Sequence, residues 1–435
     1  MRDLLVTIIV FGILPLVFTR PHFGIYLWSW LGYMNPHRLG WGFAYSFPFA
    51  AVVAIATIAS LFIARKKLSF FWPPAIKWLL LFNFWLLITT IFSLNPVEAW
   101  PQWEKVIKIQ LMTFLTLWIM NDKEKIHGLV WIIAISIGFF GVKGGIFTLT
   151  SGGSHHVLGP SGSFIAGNTE IGLALVMVLP LTWYLYLNTV NSWIRAGLVL
   201  AMLLIPAAIL GTQSRGALLA IGAITFFLWL KSRKKALLFV VILLLTPFLF
   251  MFMPQSWHER METIGNYEED NSAQGRFRAW ELAQKMAIAR PLVGGGFESF
   301  TPDNYERFAP GLVQAGQKYH DVHSIYFEVL GEHGFIGLII FLMLGILSWR
   351  NAGKIIKLTK DSDKNKWAHD LASMIQVSLV GYAVGGAFLG LAYFDLFYHL
   401  LVILILLLRI LEQQQNLPNN SLPIQKISNE YQKPF

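Results

Sequence analysis

Long unbroken apolar runs recur along this chain, divided by short polar segments, and each compares with the roughly 20 residues a helix needs to cross a hydrocarbon core. The runs lie near 4–19, 43–64, 74–94, 104–121, 127–149, 169–188, 193–211, 214–231, 236–254, 323–349, 367–391 and 394–411. Twelve membrane-spanning helices are expected, in an all-α polytopic membrane protein. The first run ends in Thr19, Arg20 and Pro21 with no small-residue cleavage pattern, so it reads as a span and not as a signal peptide. The stretch HFGIYLWSWLGYMNPHRLGWG at 22–42 is too short and too rich in Trp, Tyr, Gly and Pro for a clean span. It reads as an interfacial segment of the aromatic belt.

Four domains follow: spans one to nine with the interfacial segment over 1–252, a loop domain at 253–322, spans ten to twelve over 323–411, and a polar tail at 412–435. Composition agrees with a membrane class, since 55% of the 435 residues are hydrophobic and 13% charged. The net charge of +10 changes the picture only through its placement. It is concentrated in short clusters between apolar runs, namely RKK at 65–67, DKEK at 122–125, KSRKK at 231–235 and the stretch from Arg350 to Lys366. With twelve spans these clusters share one side with both termini, and the bias of Lys and Arg makes that side cytoplasmic. The charge is thus a topology signal, not a nucleic-acid surface. The segments 95–103, 150–168, the turn near 212 and 255–322 then face outward. Cysteine is absent, which excludes disulfides, thiolate nucleophiles and Cys-type metal sites.

The loop domain holds the candidate chemistry. GRFRAWELAQKMAIAR carries Phe277, Trp280, Ala283 and Ala287 at three- and four-residue spacing, which predicts an amphipathic helix lying on the membrane or the bundle. PLVGGG stops it, and Asp303 to Gln317 reads as loop or short helix. Arg215 in GTQSRGALLA, Arg276 at the head of the amphipathic helix, and His323 at the start of the tenth span all fall on the outward side. His320 and His323 stand at i, i+3 around Asp321, a spacing that can hold zinc, but no third ligand is marked and no metal site is assigned. The EED at 268–270 lacks the alternation of a calcium loop, and GGG at 294–296 lacks the Lys-Ser/Thr of a phosphate loop. His333 lies deeper in the tenth span and reads as a packed, hydrogen-bonded histidine.

SRG at the start of a span, then GR followed by Trp and PLVGGG, then HSIYFEVLGEHGFIGL, together resemble the bacterial O-antigen ligase and polymerase superfamily. The resemblance covers about 159–345, beginning with GPSGSFIAGNTEIG, and the N-terminal FTRPHFGIYLWSWLGYMNPHRL is similar to the exosortase-associated O-glycosylation ligases. It implies a fold similar to GT-C glycosyltransferases, in the bacterial inner membrane with the site facing the periplasm. It also implies a glycan donor on undecaprenyl diphosphate, an acceptor such as the lipid A core, another glycan or a protein, and no cofactor. His323 corresponds to the family's histidine, and Arg215 and Arg276 to its diphosphate-binding arginines. His320, Arg278, Asn168 and Tyr326 are candidate supporting residues. Ser324 departs from the pattern, since many members carry Asn there.

The implied chemistry suits the residue types. Two guanidinium groups stay charged and grip phosphate oxygens as planar forks while negative charge builds on the leaving diphosphate. An imidazole that titrates near neutrality can take the proton of a hydroxyl acceptor. A polymerase would use the same donor with a second lipid-linked glycan as acceptor. A transporter is disfavoured, because the halves are dissimilar and the mid-span regions carry almost no charge apart from Lys143.

Overall fold

A computed structural model describes residues 1–63, 71–232, 253–262, 271–314 and 317–416, with a few positions between 235 and 244. Every regular element among them is helical. In chain order these are α1 (Arg2–Thr19), α2 (His22–Met34), α3 (Phe49–Ile63), α4 (Pro74–Ile91), α5 (Pro96–Ile119), α6 (Lys123–Thr150), α7 (Asn168–Leu187), α8 (Ser192–Gly211) and α9 (Arg215–Lys231). Then come α10 (Gln255–Glu262), α11 (Asn271–Ala289), α12 (Pro302–Phe308), α13 (Ile325–Leu358), α14 (Lys366–Gly385) and α15 (Asp395–Asn416). Seven helices among the described residues are long and apolar enough to cross a membrane: α1, α4, α6, α7, α8, α13 and the 363–388 stretch built on α14. The protein is a polytopic membrane protein, and the twelve crossings expected from hydropathy become seven on this measure. The run at 43–64 shortens to the 15 residues of α3, and 104–121 belongs to a helix that also carries Glu98, Glu104, Lys105 and Lys108. The run at 214–231 yields a 17-residue α9. The 236–254 run, RKK at 65–67, EED at 268–270 and the tail beyond 416 fall wholly or largely outside the described residues.

Small residues set the closest packing. A Cβ at Gly145 of α6 would lie 2.3 Å from the Leu204 carbonyl oxygen of α8, and one at Gly141 would lie 2.6 Å from Ile205. Such contact between backbones is how apolar helices associate where the surrounding lipid is as apolar as their side chains. The same device joins α14 to α7 and α9, through Gly381 against Val176 and Ile224 and Gly385 against Leu173 and Ala220. It fixes α9, which begins at Arg215.

The first part of the aromatic stretch at 22–42 forms α2 and packs against neighbouring helices, while Trp41 at its far end stands exposed. Ile25, Leu27, Leu31 and Tyr33 of α2 are buried, and Gly24 lets Thr57 of α3 approach to 2.0 Å from where a Cβ would stand. Tyr26 donates to the Lys125 carbonyl at 2.9 Å, tying α2 to α6. Its composition looked interfacial because it mixes glycines with rings, and those glycines are what allow neighbouring helices to close over it.

The loop domain has a small core of Ala279, Leu282, Ala283, Met286, Tyr305, Ala309 and Val322, with α11 running along α13. Of the expected face of α11, Ala283 and Ala287 are buried and Trp280 packs on the core while Phe277 stands exposed, and Ala279 and Leu282 also turn inward. A kink breaks α13 at Gly334, whose φ of 67° and ψ of −170° leave the helical region. The kink frees backbone groups that the segment after α11 takes up: Gly295 N–H donates to Gly331 O, Gly296 N–H to Glu332 O, and Phe335 N–H to Pro291 O, at 2.8, 2.8 and 3.0 Å. The GGG turn is thereby stitched into the opened helix.

Candidate functional site

Arg215 is the first residue of α9, and the turn before it is held from several sides. Ser214 accepts the Ala217 N–H as a helix cap, and Gln213 takes a left-handed φ of 52° with its side chain donating to Gly153 O at 3.1 Å. Asn168, at the start of α7, donates to Thr212 O at 2.8 Å. Asn168 therefore supports the site by fixing the turn that presents Arg215, which is half-buried.

His323 occupies the junction between loop domain and α13. It is half-buried, and its φ of 42° is one of four positive values at non-glycine residues among the described positions. A left-handed non-glycine backbone persists only where its surroundings impose it. Here α11 does so: the Trp280 indole donates to Val322 O at 2.8 Å, and its ring stacks on Phe327 with centroids 4.9 Å apart. Val322 N–H donates to Asp321 Oδ1, and the Tyr305 hydroxyl donates to His320 O. Ser324, the departure from the family pattern, buries a hydroxyl that finds no partner among the described residues.

The cations gather around His320. Its ring lies against Gly275, 2.5 Å from where a Cβ would stand. Its pKa is lowered first by burial, and then by the charges of Arg278, His323, Lys318 and Arg276 in that order. Gly275 and Arg278 share one stripe of α11, and the Arg278 charge opposes a proton on His320 ahead of that of Arg276. On the other flank, Glu298 has its pKa raised by burial and by Asp321. Tyr305 is pushed up to about 12 by burial and the same aspartate. Arg215 joins this region through the tight turn at Gly386–Phe388, against which both α9 and α13 pack. A Cβ at Gly216 would lie 3.1 Å from Phe388 Cβ, and one at Gly386 would lie 2.5 Å from Ile325 Cδ1. Tyr326 closes that side by donating to Ala383 O at 2.8 Å. The arrangement offers a base beside several positive charges.

The other titratable residues of the motif point elsewhere. Glu328 accepts the Ala392 N–H at 3.1 Å, in the loop before α15. Glu332 accepts the Glu298 N–H at 2.8 Å and the Tyr393 hydroxyl at 2.6 Å. His333 is fully buried, with Nδ1 2.7 Å from Thr89 Oγ1 and Nε2 2.7 Å from the Tyr393 hydroxyl. It is the packed histidine its position in the sequence suggested. No group of three or more His, Asp or Glu able to hold a metal occurs among the described residues.

Residues 200–342 match the family described as O-antigen ligase. The chain carries an O-antigen ligase domain. That match, over about a third of the chain, supports the O-antigen ligase superfamily and with it a role in glycan transfer in polysaccharide assembly. Residues 1–190 match a second family, described as a family of unknown function (DUF5935). Among curated proteins none matches the chain significantly. The O-antigen ligase domain holds Arg215, Arg276, Arg278, His320, His323 and Tyr326, whereas Asn168 comes from the N-terminal match. The ligase domain's arginine turn thus rests on a residue outside it.

Sequence reasoning missed two residues that shape the site. Trp280 was read as part of an apolar face, and its indole N–H proves to hold the backbone beside His323. Glu332 stands in HSIYFEVLGEHGFIGL with no role assigned from the sequence, and it is the anchor of the 294–298 turn. A buried acid flanked by apolar residues was the available signal, because such a group needs partners.

Proposed function

We propose that this protein is a membrane glycosyltransferase that moves an O-antigen glycan from undecaprenyl diphosphate to the lipid A core oligosaccharide at the periplasmic face of the bacterial inner membrane. The reading includes a bundle of about twelve crossings of GT-C type, with both termini in the cytoplasm. The observation that carries it is the convergence of His323, in its imposed left-handed conformation, with His320, Arg278 and Arg276 on α11.

In this mechanism the acceptor hydroxyl oxygen attacks the anomeric carbon as the bond to the diphosphate breaks, and the bonding pair leaves with the phosphate oxygen. Attack opposite the leaving group inverts the anomeric centre. His323 takes the hydroxyl proton. Arg215 and Arg276 hold the diphosphate and neutralise the charge that grows on it, so the reaction proceeds without a divalent ion. His320, Arg278, Asn168 and Tyr326 support these three through the contacts described above.

Reconstituted protein given labelled glycan on undecaprenyl diphosphate should transfer label to lipid A core and release the diphosphate lipid. Label built into ladders on the carrier lipid would instead make the protein a polymerase, and label on a peptide would make it a protein ligase. The orientation is checked separately in spheroplasts. A cysteine at Glu306, on exposed α12, should react with an impermeant thiol reagent, and one at Asp363 should not.

A further inference from the structure

The turn that carries Arg215 is the apex of a wedge. Residues 212–214 join α8 to α9 there, and farther along the two helices make little contact with one another. The glycines described above are the cause. Gly141 and Gly145 draw α8 onto α6, whereas Gly381 and Gly385 draw α9, together with α7, onto α14. A cavity of about 740 Å³ lies in the opening and reaches Lys231, which is about 24 Å along α9 from Arg215 at 1.5 Å per residue. Its walls include Trp183 and Tyr186 of α7, Leu203 of α8 and Leu228 of α9. Leu203 is 62% exposed and Trp183 43%. The cavity therefore opens sideways, toward the hydrocarbon that surrounds three of the helices long and apolar enough to cross it.

We infer that this cavity seats an acyl chain of an anionic glycerophospholipid, whose phosphate is held by Lys231 and Arg195. The site stands apart from the glycan chemistry, at the end of α9 remote from Arg215. Charge on the rim selects the headgroup. Lys231 donates to Gln376 Oε1 at 2.7 Å and to Ser373 Oγ at 3.3 Å, and those bonds leave one of its three N–H groups for a phosphate oxygen. The exposed Arg195 guanidinium lies 4.6 Å from the centroid of the Tyr186 ring. Stacking occupies its face and leaves the edge N–H groups for a second oxygen. None of the described lining residues is acidic, and Asp370, one turn before Ser373, is bonded to Asn188. A lipid with a cationic amine would find no partner for it here, so a net negative headgroup fits better. Tyr186, beneath Arg195, also stacks on Trp183 with centroids 5.4 Å apart, and amphipathic rings of this kind mark the headgroup level of a membrane protein. From that level the chain runs between α8 and α9 toward the apex, filling space that neither helix fills.

The test is a binding measurement independent of the donor. Full-length protein, freed of copurifying lipid in a neutral detergent, is titrated with phosphatidylglycerol and with phosphatidylcholine of the same acyl chains, and bound lipid is counted by native mass spectrometry. The wild type should favour phosphatidylglycerol. Lys231→Gln and Arg195→Gln should each weaken it about fivefold, the contribution of one basic residue near an anionic lipid surface, and weaken phosphatidylcholine less. The double variant Lys357→Gln/Lys360→Gln removes two exposed cations outside the cavity and should leave both affinities as they were. Leu203→Trp fills the cavity from an exposed wall position and should weaken both lipids by roughly threefold or more, through lost chain contacts. Val199→Phe does the same from one turn away if Leu203→Trp does not fold. Wild type that binds the two lipids alike, or neither, would overturn the inference. So would a loss in Lys357→Gln/Lys360→Gln as large as that in Lys231→Gln, which would make the attraction diffuse. Folded cavity-filling variants that bind like the wild type would place the lipid elsewhere on the protein.

Discussion

His323 and His333 come from one short motif on one helix, yet they occupy opposite kinds of surroundings. Both ring nitrogens of His333 are engaged by buried hydroxyls, and no solvent reaches it. His323 is half-buried at a domain junction, with a backbone conformation imposed by its neighbours and positive charges close by. A histidine whose two nitrogens are already bonded inside the protein cannot take a substrate proton without first giving up a partner. The difference teaches that these identical side chains are sorted into structural and chemical roles by what their ring nitrogens already touch.

The sharpest way to break the comparison is to remove each ring in turn. His323→Ala should lower glycan transfer by about 10² to 10⁴, the usual contribution of a positioned base, with protein level and donor binding kept. His333→Ala should cost roughly 2–5 kcal/mol of stability through a cavity and two lost bonds, read as lower yield and an earlier thermal transition. Wild-type transfer by His323→Ala at saturating donor would remove the base from the mechanism.

A second test asks whether the charges beside His323 act as shaped groups. Arg215→Lys and Arg276→Lys should each cut transfer by roughly tenfold or more, since an ammonium keeps charge without the planar fork. Near-normal rates in both would leave charge alone as the requirement, or neither residue as a participant. Trp280→Phe is milder and sharpens the question of what holds His323 in place. It keeps the stack on Phe327 and deletes one hydrogen bond, worth about 1 kcal/mol, so the turnover number should fall several-fold with donor affinity unchanged. A parallel loss of donor affinity would show that Trp280 shapes the binding site as well.

The smallest effect is on pH. Because the folded protein holds the His320 pKa below its unfolded value, the unfolded chain takes up the proton more readily. His320 should therefore cost no stability above the ordinary histidine range, and should destabilise the loop domain as pH falls through about 6.5 and below. The thermal transition should fall less between pH 7 and pH 5 in His320→Asn than in the wild type. Equal slopes would show that neither burial nor the surrounding cations disfavour a proton on His320 in the folded state.

Much of this arrangement was legible in the sequence because its signals are local. Apolar runs marked the long apolar helices, PLVGGG marked the end of α11, and the order of SRG, GR and HSIYFEV marked the O-antigen ligase match. What could not be read arises from contacts between distant segments. Packing of α2 depends on Gly24 fitting Thr57 of α3 and on Gly128 of α6 fitting Tyr26, contacts that composition alone does not reveal. Arg278 is set toward His320 because the His320 ring packs on the stripe of α11 through Gly275, a contact between segments far apart in the chain. Asn168 gained its role only when α7 met the turn before Arg215.

The kink at Gly334 has a further consequence for which parts of the loop domain are free to vary. The loop domain is fastened at two places, the 291–298 segment threaded into the opened helix and the Trp280 bond beside His323. Between them α12 presents Asp303, Glu306 and Arg307 to the surroundings. Those exposed positions can change while Tyr305 and Ala309, which belong to the loop domain's core, and the Tyr305 bond to His320 O keep the junction at His323 as it is.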